Sequence, residues 1–200
     1  MGLSSAAILA TKAIITFRPQ YLIMTGIAGG ADNHELHFGD VIFADPCFDY
    51  ESGKKIYENG KSVFKPDYRQ IRLDNAINQV VRRLATRREK LVAIKEACTY
   101  DKPNDPLQVK IGHFGSGAAV LSDETVIARV KEHNRKFLSF DMEAYAVMLS
   151  GMLSSTPKAT SVVMKAVSDF GTGKSDKYQK YAAYTSAKVL QCFFEELWGM

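Results

Sequence analysis

The sequence predicts an α/β fold: three layers, α/β/α, around a mixed central sheet, in a single domain over residues 1–200. Three observations predict it. Short β-branched runs such as Val162-Val163-Met164-Lys165-Ala166-Val167 alternate with longer stretches of helical periodicity, a pattern that builds a parallel or mixed sheet flanked by helices. A chain of 200 residues is long enough for one core, burying roughly 70% of its unfolded surface. Its composition, 46% hydrophobic and 24% charged, is that of an ordinary folded domain.

The elements follow in order. Ser4 and Ser5 precede apolar residues at Ala6, Leu9, Ala10, Ala13 and Phe17, which predicts a capped helix ending before Pro19. A strand from Tyr21 to Met24 or Thr25 should stop at a glycine turn, Gly26 to Gly30. Asp40 to Asp45 reads as a strand interrupted by Pro46 and resuming at Cys47 to Tyr50, and Glu51 to Gly60 as a polar hairpin or loop. Ile71, Leu73, Ile77, Val80, Val81 and Leu84 predict a helix over 68–86, followed by a loop from Thr99 to Pro106. Val109 to Val120 reads as a strand bending through Gly115-Ser116-Gly117, and Asp123 can cap a helix to His133. Strands at 138–140 and 160–167 enclose a helix at 143–153, and a helix over 178–197 closes the chain.

Charge and cysteine content exclude several classes. The net charge of +4 is concentrated between Arg82 and Lys95, but no aromatics interleave there to stack bases, so the run reads as a solvated helix end and not a nucleic-acid surface. Cys47, Cys98 and Cys192 are odd in number and lack metal-ligand spacing, the pattern of reduced thiols in a cytoplasmic protein. No apolar run approaches the ~20 residues of a membrane helix, and no metal or organic cofactor is implied.

The informative run is Phe140-Asp141-Met142-Glu143-Ala144 together with Lys165-Ala166-Val167-Ser168-Asp169. Both put carboxylates at the carboxyl ends of strands, where open α/β sheets bind ligands. These two segments, with Met24-Thr25-Gly26-Ile27-Ala28-Gly29-Gly30 and Phe38-Gly39-Asp40-Val41, resemble the nucleoside phosphorylase superfamily, most closely its 5′-methylthioadenosine/S-adenosylhomocysteine nucleosidase branch. The segments occur in family order and span nearly the whole chain. The resemblance implies hydrolysis of a purine nucleoside to release adenine, by a homodimer. In that family the first strands lie inside the sheet, and an early glutamate activates the attacking water. No acidic residue precedes Asp32 here, so the resemblance implies a chain lacking those strands, with an open sheet edge.

Breaking a ribose–purine bond needs a proton for the base and stabilisation of a cationic sugar, a division of labour like that of glycosidases. The resemblance makes Asp169 the acid that protonates N7, with Ser168 orienting its carboxyl. It makes Glu143 the acceptor for both ribose hydroxyls, which also favours positive charge on the ring. Ala28, Gly29 and Met142 would line the sugar, and Val120, Leu121 and Phe140 the base. Each has a purely structural alternative: a turn or helix cap for Asp169, a helix-terminal acid for Glu143, core packing for Met142 and Phe140. Phosphorylases of the family carry an Arg and a Ser at the positions of Met24 and Ile27, and neither residue here can bind phosphate through its side chain. That favours hydrolysis over phosphorolysis. A non-catalytic, nucleoside-sensing or signalling module is a further alternative, and a scaffold domain of the same fold with a dead pocket is another.

Overall fold

A computed structural model describes residues 2–118, 124–171 and 176–199. Helix α1 (Leu3–Phe17) leads into strand β1 (Tyr21–Gly30), then β2 (Val41–Asp49) and a hairpin of β3 (Gly53–Glu58) and β4 (Lys61–Pro66). Helices α2 (Asn75–Ala85) and α3 (Arg88–Ala97) precede β5 (Val109–Ser116). Helix α4 (Glu124–His133), β6 (Phe137–Asp141), α5 (Ala144–Leu153), β7 (Thr160–Asp169) and α6 (Gln179–Trp198) complete the chain.

The mixed central sheet and its helical layers are present as expected. Alternate residues of each strand serve opposite faces, the two-residue period of a strand. Val41, Phe43, Val162, Met164 and Ala166 pack with Ile77, Val81, Leu84, Leu91, Val189 and Phe193 of α2, α3 and α6. Ile42, Ala44, Val163 and Val167 pack on the other side with Ala6, Ala10, Val147 and Met148 of α1 and α5. The sheet also curls until it closes, in the order β1-β6-β5-β2-β7 and back to β1. Closure is uneven: β1 pairs with β7 from Tyr21 onward but with β6 only through Gly29 and Gly30.

Several boundaries differ from those the sequence predicts. Gly2, not a serine, is the N-cap of α1, with no side-chain bond. The expected glycine turn after Thr25 is a continuation of β1 to Gly30. Glycine is needed there for close approach: a Cβ on Gly29 would run into the Phe140 ring, and one on Gly30 would lie 2.7 Å from Phe170. Pro46 does not interrupt β2, which absorbs it in a register shift between Ala44 and Cys47. Helix α2 starts seven residues later than the periodicity suggests, because Asp74 caps it by accepting from the backbone N–H of Ala76 and Ile77 at 2.8 and 3.3 Å. The preceding Ile71 and Leu73 are drawn onto β2 instead, through Cys47 and the Asp45 carboxylate. The basic run forms the end of α2 and the whole of α3, with Arg87 and Lys90 bonded to Glu196 and Glu195 of α6. Asp123 lies outside the described residues. The three cysteines are free thiols, and no described helix is long and apolar enough to cross a membrane.

Candidate active site at the strand ends

Barrel closure brings the two acid-bearing segments together. Gly29 stands in register with Asp169 of β7 on one side and Phe140 of β6 on the other. With neighbouring strands about 4.8 Å apart, the ends of β6 and β7 flank the end of β1. Ser116, the last residue of β5, is in register with Asp141, the last of β6. The carboxyl ends of β1, β5, β6 and β7 therefore meet at one rim.

At that rim Asp141 is structural. Its carboxylate accepts from Glu143 N at 3.0 Å, Ala144 N at 2.9 Å and Ser116 Oγ at 2.8 Å, which caps α5 and ties it to β5. Because Asp141 takes the cap, Glu143 makes no side-chain cap bond although it occupies the N-cap position. The helix-terminal role that the sequence leaves open for Glu143 thus falls to its neighbour. The Glu143 carboxylate lies 3.7 Å from Lys165 Nζ, which is itself 3.1 Å from Asp141 Oδ2. Lys165 is buried, 5% exposed, and bridges β7 to the β6–α5 junction.

Asp169 sits where β7 is irregular. Ala28 pairs with Val167 and Gly29 with Asp169, so Ser168 is an extra residue, a bulge of the kind that re-aims a strand end. Ser168 Oγ lies 3.3 Å from the Ala28 carbonyl and 3.1 Å from Asp169 Oδ2. Ser168 Oγ is thus within hydrogen-bond reach of the Asp169 carboxylate. Asp169 Oδ1 accepts from Gly171 N at 2.8 Å, so the carboxylate also shapes the turn after β7.

The other expected residues divide. Ala28 and Gly29 are buried at the rim, and Met142 is half-buried between Asp141 and Glu143. Phe140 is buried, with its ring on Gly29 and 6.1 Å from Phe137, which is core packing. Val120 and Leu121 lie outside the described residues. Phe170 packs edge-on against Phe38 at 5.1 Å. Of the β1 positions that would read phosphate, Met24 packs against the α1/α5 core and Ile27 against the α2/α6 core. The Thr25 hydroxyl between these two positions lies 2.7 Å from Ser186 Oγ of α6.

Sequence reasoning missed Lys165 and the capping role of Asp141. The signal for Lys165 was present: a lone cation inside an otherwise apolar strand run has to be paired when buried. Among the described residues, no group of three or more His, Cys, Asp or Glu is placed to hold a metal ion.

The sequence profile of the phosphorylase superfamily matches residues 1–195. An uncharacterized protein, y4jS, of Sinorhizobium fredii is 32% identical over 190 residues, which are 94% of this chain and 46% of that protein. The 5′-methylthioadenosine/S-adenosylhomocysteine nucleosidase of Bacillus pumilus is 28% identical over 195 residues, 95% of this chain and 75% of the relative. The chain thus spans about half of the first relative and three quarters of the second. Among solved structures, the nucleosidase of Neisseria meningitidis in complex with methylthio-immucillin-A superposes with a TM-score of 0.73 at 22% identity, covering 98% of this chain and 78% of the other. Futalosine hydrolase of Helicobacter pylori superposes with a TM-score of 0.74 at 16% identity, covering 98% and 76%. These structures share the fold. With the profile match over almost its full length, the chain belongs to the phosphorylase superfamily.

Proposed function

We propose that the chain is an N-ribosyl hydrolase acting on purine nucleosides, of the 5′-methylthioadenosine/S-adenosylhomocysteine nucleosidase type, releasing adenine. The observation that supports this reading is the register of Gly29, whose partners Asp169 and Phe140 bring the ends of β7 and β6 to either side of the end of β1. Asp169, oriented by Ser168, delivers a proton to the purine as the bond breaks, a contribution of about 10²–10⁴-fold. Glu143 accepts from the ribose hydroxyls and stabilises the positive charge that develops on the sugar. Lys165 holds Glu143 and Asp141 at the sugar side. Ala28, Gly29 and Met142 border the sugar. Hydrolysis is favoured over phosphorolysis because Met24 and Ile27 pack into the two cores and Thr25 is engaged by Ser186.

A single domain and a homodimer belong to the same reading. Support for the dimer comes from Ile8, Leu9, Ile15 and Phe17 of α1, all more than half exposed.

The test is adenine release from methylthioadenosine and S-adenosylhomocysteine, with and without phosphate, by the chain and by Asp169→Asn. We expect phosphate-independent release that the substitution lowers by about 10²–10⁴-fold with the circular dichroism unchanged. Near-normal release by Asp169→Asn removes the assigned acid. Strict dependence on phosphate transfers the case to the phosphorylase reading.

A further inference from the structure

Away from the rim, a second cleft of about 680 Å³ opens between the end of α2, the middle of β5 and the connection from α4 to β6. That volume is within the range of small-molecule sites. Its lining is apolar in part (Ala85, Ile111, Leu138) and carries Arg72, Arg82, Arg135 and Lys136 together with Glu35 and Asp45. The negative charges do not cancel the positive ones. Asp45 is taken up by Arg72 Nε at 2.8 Å and by Asn78 Nδ2 at 2.8 Å. Arg82 donates one bond, to Asn78 Oδ1 at 2.7 Å, and is in no ion pair among the described residues. Arg135 and Lys136 make no ion pair and no side-chain hydrogen bond among the described residues.

His113 also lines this cleft. Its Nδ1 lies 2.8 Å from Asn134 Oδ1, and the neutral ring can gain a second proton. Burial, opposed by the Asn134 bond and reinforced by Lys136 and Arg72, holds its pKa below the ordinary histidine value, with Asp45 pulling weakly the other way. The cleft therefore disfavours a further positive charge.

We propose that this cleft is a binding site for an oligophosphate, a di- or triphosphate group whose oxygens engage Arg82, Arg135 and Lys136. Guanidinium forks match phosphate oxygens two at a time, and an ammonium adds a point charge. The cleft is larger than a single orthophosphate needs, and a chain of phosphates can meet several of its cations at once. Glu35, which also lines the cleft, opposes indiscriminate anion binding.

The probe is inorganic tripolyphosphate, titrated into the full chain while the His113 ring proton is followed by NMR across pH. Tripolyphosphate should raise the His113 midpoint and bind about tenfold or more tighter than orthophosphate. Arg135→Glu with Lys136→Glu should abolish both effects, while Lys54→Glu with Lys55→Glu, the same charge change on strand β3 outside the cleft lining, should preserve them. An unmoved His113 midpoint overturns the site. So does equal weakening by the β3 pair, which would make the binding a response to overall charge. Adenine release is not the readout, so this outcome and that of the nucleosidase assay are separable.

Discussion

At the scale of single residues, Lys165 decides more than any other side chain at the rim. A buried ammonium is costly to desolvate, and its pairing with Asp141 and Glu143 offsets that cost. Removing one partner is worse than never having had the set. Lys165→Met takes the shared cation from both carboxylates, that of Asp141 belonging to a side chain only 4% exposed. We expect a loss of about 3–5 kcal/mol in urea unfolding, with most of it recovered by Lys165→Arg. A loss under about 1 kcal/mol would mean that the pair is hydrated like a surface ion pair. Asp169 and Glu143 stood out in the sequence because one ends a strand and the other lies just past a strand end, each in a signature run. Lys165 was in the same run and was passed over, since a strand pattern shows alternation but not which side chain meets which carboxylate. Asp141 and Glu143 posed a related problem: two acids one residue apart at a helix start compete for the cap, and sequence alone does not say which takes it.

At the scale of elements, the strand and helix cores were legible and their ends were not. Hydrophobic period located all five barrel strands, but long-range contacts fixed where each one stops. Beta1 runs on through Gly29 and Gly30 because two aromatic rings, from β6 and the turn after β7, need the room. The late start of α2 has the same origin, since Ile71 and Leu73 fit a helical stripe yet bond to β2. Gly151 in α5 shows how such a competition resolves. Within a helix, Ala is favoured over Gly by about 1 kcal/mol. Here a Cβ would overlap the Ser161 hydroxyl of β7 and approach the Ala159 carbonyl to 3.1 Å. Overpacking of this kind costs typically about 1–3 kcal/mol, so packing should win. Gly151→Ala is expected to lower the thermal midpoint, and adding Ser161→Ala should restore part of it. A rise in the midpoint for the single substitution would show that α5 slides without cost.

At the scale of the whole molecule, the closed sheet depends on a junction that no local pattern announces. Asp40 is fully buried at the start of β2. Its carboxylate accepts from His37 N and from Gln108 N, each at 2.9 Å, while its backbone carbonyl accepts from Val167 N at 2.9 Å. One residue thereby joins β2, the approach to β5 and the end of β7 that carries Ser168 and Asp169. The sequence showed Asp40 only as a strand start after a glycine, because its partners lie about 70 and 130 positions away along the chain. Burial pushes its pKa up to about 6, against the pull of the two N–H donors and of Lys110 and His37. The sign of the consequence is opposite to ordinary acid denaturation. The folded chain takes up this proton near pH 6, whereas the unfolded chain waits until about pH 4. Stability from this group therefore rises as pH falls through that window, by about 3 kcal/mol in full. Asp40→Asn removes the proton uptake and leaves one N–H donor without its acceptor. Urea unfolding at pH 7 and pH 5 should show the native chain's advantage over Asp40→Asn widening at the lower pH. An advantage that shrinks on acidification would mean that Asp40 is ionised throughout and that the junction is held by charge.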